Sequence, residues 1–106
     1  MDRLRHTIIA LALAGAPLAY ATAAPADVAA GVALPSRSAD NVKLDEGRKP
    51  AQLLQFLGLE QGMTVIDMFG ANRYWAEITA PAVGPQGRIH VGQPTQFYDD
   101  KTKTAF

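Results

Sequence analysis

Cysteine is absent from this chain of 106 residues, which excludes disulfide bonds, thiolate metal sites and a cysteine nucleophile. An excess of charge is absent too, because ten Lys and Arg residues balance ten Asp and Glu residues. The charge therefore indicates neither a nucleic acid nor an anionic membrane surface as partner. With only two histidines, a metal site would need carboxylates from elsewhere, and no metal is predicted. No internal repeat, serine–histidine–acid set or paired-carboxylate arrangement is visible in the sequence.

A long hydrophobic run is also lacking. The apolar run over residues 7–18 is interrupted by a glycine and a proline, and a membrane span needs about 20 apolar residues. Arg3 and Arg5 precede this run, and two small-x-small cleavage sites follow it, the second ending at Ala23. This pattern is typical of a bacterial secretory signal. It predicts a cleaved signal peptide over residues 1–23, export to the periplasm or beyond, and no membrane contact after cleavage.

The mature chain opens with little regular pattern. Residues 24–43 are rich in Ala, Pro, Gly and Ser and show no period of 2 or 3.6, which predicts a flexible lead. The first helix is predicted to begin near Pro50, since proline suits the first helical position. Gly58 fits the position just after its last turn. One face of this helix carries three apolar residues, Leu53, Leu54 and Leu57.

A strand, a helix and a second strand follow. The apolar run from Met63 to Met68, with Asp67 near its carboxyl end, indicates a parallel strand covered on both faces. A helix is predicted from Arg73 to about Val83, and a second strand from Arg88 to Val91. Together they form one βαβ unit after the first helix, which predicts an α/β fold. Residues 95–106 are predicted to form a polar, mobile tail.

These segments resemble the N-terminal part of the class I S-adenosylmethionine-dependent methyltransferases, and more narrowly a set of exported bacterial predicted methyltransferases. The resemblance covers residues 44–94. Three stretches carry it: L-G-L-E-Q-G-M-T-V-I-D at 57–67, Y-W-A-E-I with a later A-P at 74–81, and V-G-P-Q-G-R-I at 83–89. The resemblance implies a partial Rossmann-like fold, a truncated methyltransferase segment and S-adenosylmethionine as a small-molecule cofactor.

The resemblance also implies the cofactor-binding residues. In the family, an acidic residue at the end of the first strand opens an acid-x-Gly-x-Gly-x-Gly motif, whose glycines let the backbone approach the cofactor. Asp67 occupies the acidic position, and Gly70, Ala71 and Asn72 form the loop that would cradle the cofactor. A carboxylate at the end of the second strand usually accepts both ribose hydroxyls, and either Gln93 or Gly92 falls at this point.

The loop departs from the family motif in its glycines. Counting from Asp67, the glycine positions hold Phe69, Ala71 and Arg73, whereas Gly70 is out of step. An inward-pointing Arg73 would meet the positive sulfonium of the cofactor unfavourably. Asp67 can therefore anchor a cofactor or simply cap the following loop, and the loop can be a cradle or an ordinary turn. The sequence leaves both interpretations open.

Two functions follow as hypotheses. The first is a methyltransferase-like protein that supplies the cofactor-binding half. Methyl transfer mainly needs positioning, so no universal catalytic residue is expected. The second is a non-catalytic truncated remnant or a small exported binding module. Two parallel strands leave sheet edges and an apolar face uncovered, so a partner chain would complete the sheet.

Overall fold

The structure is a computed structural model that describes residues 22–106. The predicted signal peptide lies outside this range except for its last two residues. The described elements, in chain order, are α1 (Val28–Val32), α2 (Ala39–Val42), α3 (Asp45–Arg48), α4 (Pro50–Phe56), β1 (Thr64–Asp67), α5 (Tyr74–Val83), β2 (Arg88–Val91), a 3-10 helix (Thr95–Phe97) and α6 (Asp100–Lys103). Within the described range, every helix is too short or too polar to cross a membrane.

The predicted strand–helix–strand order is confirmed, and the protein is of the mixed α/β class. β1 and β2 pair in parallel, with Thr64 opposite Arg88 and Asp67 opposite Val91. Parallel strands need a crossover connection, and α5 supplies it while packing on both strands. The carboxyl ends of β1 and β2 therefore lie side by side at one end of the sheet. The two loops that carry the predicted site residues follow there.

α5 provides most of the core. Its buried residues are Tyr74, Ile78, Thr79, Ala82 and Val83. Thr79 is tolerated in this apolar setting because its hydroxyl donates to the carbonyl of Trp75 at 2.8 Å, which satisfies the buried polar group. The helix continues past Pro81 to Val83, where it was predicted to end. Tyr74 and Ile78 join Val28 of α1 and Leu54 of α4 in one apolar cluster.

The expectation of a flexible lead over residues 24–43 was wrong. This stretch contains α1 and α2, and α1 packs against both α4 and α5. Val28 is only 3% exposed, and the carboxylate of Asp27 accepts from the N–H of Ala30 at 3.1 Å, which caps α1. Helices of four or five residues are too short to show a 3.6-residue period. Tertiary packing rather than sequence pattern stabilises them.

The predictions for α4 and β1 hold for position but not for burial. α4 begins at Pro50, and Gly58 after it has a φ of 71°. Only Leu54 of the leucine face is buried, however, whereas Leu57 is 65% exposed. The predicted covering of β1 on both faces was wrong as well, since Ile66 is 69% exposed. Among the described residues, nothing packs over this apolar surface.

The tail also contains more structure than was predicted. Residues 95–106 form the 3-10 helix and α6, and Asp99 and Thr102 cap α6 by bonding each other's backbone N–H groups at 2.7 and 2.8 Å. The ring of Phe97 lies edge-on to that of Phe69, with centroids 5.7 Å apart. The tail therefore packs against the loop that follows β1.

Candidate functional site

The loop after β1 folds back onto the end of β2. The N–H of Gly70 donates to the carbonyl of Gly92 at 3.0 Å, and the N–H of Gly92 donates to the carbonyl of Asp67 at 2.8 Å. A Cβ atom at Gly70 would lie 2.4 Å from Cγ1 of Val91 and 2.8 Å from Oδ2 of Asp67. Only glycine permits this approach. Gly70 thus holds the loop against β2 and against the Asp67 carboxylate.

The two carboxylate oxygens of Asp67 have different surroundings. Oδ1 accepts from the N–H of Phe69 at 3.2 Å, which is the side-chain turn that Asp commonly forms after a strand. Oδ2 is buried and accepts no hydrogen bond from any described residue. Buried carboxylate oxygens are normally hydrogen-bonded. One oxygen therefore caps the loop, and the other needs a donor that the described residues do not supply.

Gln93 presents a second oxygen of this kind. Its Oε1 is buried, and no described residue donates to it. Gln93 follows β2, and Asp67 is the last residue of β1. Both oxygens therefore lie at the carboxyl end of the sheet. Among the side chains of residues 22–106, two other buried polar atoms lack a hydrogen bond, Nε of Arg37 and Oε2 of Glu77. These two lie 3.9 Å apart and compensate each other electrostatically.

Asn72 and Arg73 connect the loop to α5. The side-chain Oδ1 of Asn72 accepts from the N–H of Tyr74, the first residue of α5, at 3.1 Å, although the N-cap position itself is held by Arg73, which forms no side-chain cap. Arg73 has a left-handed φ of 57°, a conformation that favours glycine, at the position where the family motif has its last glycine. Its guanidinium donates to the carbonyl of Ala105 in the tail.

Two cavities flank the loop. The larger is about 550 Å³ and lies between α4, β1 and the first turns of α5. Its lining residues are Arg48, Leu53, Leu54, Leu57, Val65, Ile66, Asp67, Met68, Phe69, Asn72, Trp75 and Thr79. The smaller is about 330 Å³ and is lined by Ala71, Asn72, Gln93, Phe97, Asp99, Lys101 and Thr102. Of the sequence-predicted residues, Asp67 lines the larger cavity, Ala71 and Gln93 line the smaller one, Asn72 lines both, and Gly70 lines neither.

A buried polar cluster beside the larger cavity was not predicted from the sequence. Both terminal nitrogens of the Arg37 guanidinium donate to Asp45, at 2.7 and 2.8 Å, and one also donates to the carbonyl of Val32 at 2.9 Å. The hydroxyl of Tyr74 donates to the same carboxylate at 2.7 Å. Arg37 is the only cation between residues 24 and 42, which is the one signal that could have identified this cluster.

The pKa values within this cluster follow from its contacts. The hydrogen bonds from Arg37 hold the pKa of Asp45 below its ordinary value, although burial opposes this effect. Burial, with the hydrogen bond to Asp45, raises the pKa of the Tyr74 hydroxyl to about 12. The cluster is therefore an ionised pair capped by a neutral phenol. Its hydrogen bonds join the segment before α4 to the N-terminus of α5.

No family model, curated protein or solved structure matches the chain. Among residues 22–106, no group of three or more His, Asp or Glu side chains could hold a metal ion.

Proposed function

We propose that the chain binds S-adenosylmethionine at the carboxyl ends of β1 and β2, as the cofactor-binding part of a methyltransferase-like protein. The observation that carries this proposal is that Asp67 and Gln93 line the two cavities at this end of the sheet, and each has an oxygen to which no described residue donates. Ligands of α/β proteins bind at the carboxyl ends of the strands of a parallel sheet. The cofactor offers an ammonium group and two ribose hydroxyls, which are donors of the kind that such oxygens accept.

The shape of the site supports the same ligand class. The larger cavity, at about 550 Å³, falls within the roughly 300–1,000 Å³ that small-molecule sites occupy. Its walls are mostly apolar, with few polar groups, as in most cofactor sites. The left-handed backbone at Arg73 also matches what a glycine-motif loop requires. The cofactor, when bound, supplies an electrophilic methyl group, and the role of the protein is to position it and exclude water.

Calorimetric titration of the folded full chain tests this proposal. We expect saturable binding of S-adenosylmethionine and of S-adenosylhomocysteine. Asp67→Asn keeps the Oδ1 that caps the loop but removes the charge, and we expect about 10-fold weaker binding, the usual loss for a charge-assisted hydrogen bond. The matched control is Asp40→Asn, since the Asp40 side chain is 93% exposed. This variant should bind the cofactor with the affinity of the wild type. No heat at millimolar ligand, with a folded sample, would contradict the proposal.

A second candidate function is a non-catalytic binding module, and the exposed apolar surface along β1 favours it. Ile66, Met68 and Phe69 are each more than 60% exposed. Large exposed apolar patches commonly mark interaction sites in soluble proteins. A partner chain that pairs with the free edge of β1 would cover this surface. Concentration-dependent self-association, followed by analytical ultracentrifugation, tests this candidate.

A further inference from the structure

The larger cavity contains one cationic and one anionic side chain. Arg48 and Asp67 both line it, and the other lining residues are apolar except for Asn72 and Thr79. A cavity that combines a guanidinium, a carboxylate and apolar walls is complementary to a zwitterion with an apolar stem. An α-amino-acid group on an aliphatic stem fits this description.

The two arginines near Tyr74 have different partners. The guanidinium carbon of Arg37 lies 5.6 Å from the centre of the Tyr74 ring, and that of Arg48 lies 4.3 Å from it. Arg37 is buried and is paired with two carboxylates, at 2.7 and 3.9 Å. Arg48 is exposed on the cavity wall, and within residues 22–106 it forms no ion pair. Arg48 is therefore the arginine of this pair that can bind an anion.

The Tyr74 ring is a fixed support for Arg48. Tyr74 is 0% exposed, and its hydroxyl is held by Asp45 at 2.7 Å. A guanidinium over an aromatic face keeps its N–H groups free in its own plane. Those groups can donate two parallel hydrogen bonds to a carboxylate. The buried cluster thus orders the arginine before any ligand arrives, which lowers the entropic cost of binding.

We propose that Arg48 binds the carboxylate of the ligand's amino-acid portion, through a bidentate guanidinium–carboxylate contact in the larger cavity. This inference rests on the proposed function, because it assigns one end of the ligand that the function requires. The aliphatic stem of this portion lies against the apolar wall, where Leu53 and Leu57 contact it. The amino group lies toward Asp67, which lines the same cavity.

Two ligands that differ only in the amino-acid portion test the assignment. S-adenosylhomocysteine carries this portion, whereas 5′-methylthioadenosine shares the nucleoside and the thioether but lacks the carboxylate and the ammonium group. We expect Arg48→Gln to weaken binding of S-adenosylhomocysteine about 10- to 100-fold, the range for a lost hydrogen-bonded charge. Its affinity for 5′-methylthioadenosine should change less than about twofold. Arg48→Lys should give an intermediate loss, because lysine keeps the charge without the planar fork.

The matched control is Arg88→Gln, at the opposite end of the sheet, which should bind both ligands as the wild type does. Equal loss of both ligands in the folded Arg48→Gln and Arg48→Lys variants would overturn the assignment, since it would show that Arg48 acts through the fold. Unchanged binding of S-adenosylhomocysteine in these variants would overturn it too, while leaving the proposed function in place. Failure of the wild type to bind either ligand would instead contradict the proposed function and, with it, this inference.

Discussion

The ion pair of Arg37 and Asp45 dominates the polar interactions at the residue scale. The Arg37 side chain is 1% exposed, and both Asp45 oxygens are engaged. Removing the carboxylate charge leaves a buried guanidinium without its main partner, which costs about 3 kcal/mol or more. We therefore expect Asp45→Asn to lower the free energy of unfolding by about 3 kcal/mol, measured by urea denaturation.

The pH dependence of the same variant identifies the cause. Because Arg37 lowers the pKa of Asp45 in the folded state, the unfolded state takes up a proton first as the pH falls. The contribution of this group is present above its ordinary pKa of 3.8 and is lost below it. Asp45→Asn should lack this part of the acid dependence. A variant that is destabilised equally at all pH values, yet keeps the acid-side slope of the wild type, would contradict the assignment.

Residues at the candidate site were predictable to different degrees. Asp67 and Gln93 could be placed at the same end of the sheet because Asp67 ends one recognisable strand and Gln93 follows the other, and parallel strands end together. The burial of their second oxygens could not be predicted, since it depends on how the loop packs. Arg37 and Tyr74 meet only in the folded chain, so no local pattern predicts their contact.

Among the elements, α1 depends on one glycine for its contact with α5. A Cβ at Gly31 would lie 2.4 Å from the backbone carbonyl oxygen of Ile78, which cannot move without displacing α5. Overpacking of this kind costs about 1–3 kcal/mol. We expect Gly31→Ala to lower the free energy of unfolding by about 2 kcal/mol, measured by urea denaturation.

Gly47 in α3 provides the matched control for that substitution. A Cβ there would meet no atom within 4 Å, and alanine is favoured over glycine inside a helix by about 0.5–1 kcal/mol. Gly47→Ala should therefore raise the free energy of unfolding. If both alanine variants raised it, α1 would not pack against α5 as described here.

The elements that sequence could predict are those with a clear pattern and clear ends. α4 starts at Pro50 and ends before Gly58, and the turn at 84–87 separates α5 from β2. α1, α2 and α3 have only four or five residues each, which is less than the pattern needs. Their positions depend on the core of α5, so the local sequence around α1 and α2 indicates only a flexible lead.

For the whole molecule, the two candidate functions use the same surface. The exposed residues Leu57, Ile66, Met68 and Phe69 all line the larger cavity, where the ligand's amino-acid portion is proposed to bind. A partner chain on the edge of β1 would cover that cavity. Ligand binding and association are thus expected to compete, and a ligand that binds only the monomer shifts the equilibrium by mass action.

Sedimentation velocity measures this competition directly. If the apolar surface mediates self-association, the full chain should form dimers with rising concentration, and S-adenosylhomocysteine should reduce the dimer fraction. Ile66→Thr keeps a β-branched residue in β1 but removes apolar surface, and we expect the dimer dissociation constant to rise about 10-fold, as burial of roughly one large aliphatic side chain implies. Phe56→Thr is the control, since Phe56 is 86% exposed but lies outside the cavity. If the protein stays monomeric into the millimolar range, self-association through this surface is excluded. Ligand binding in the cavity would not be affected by that result.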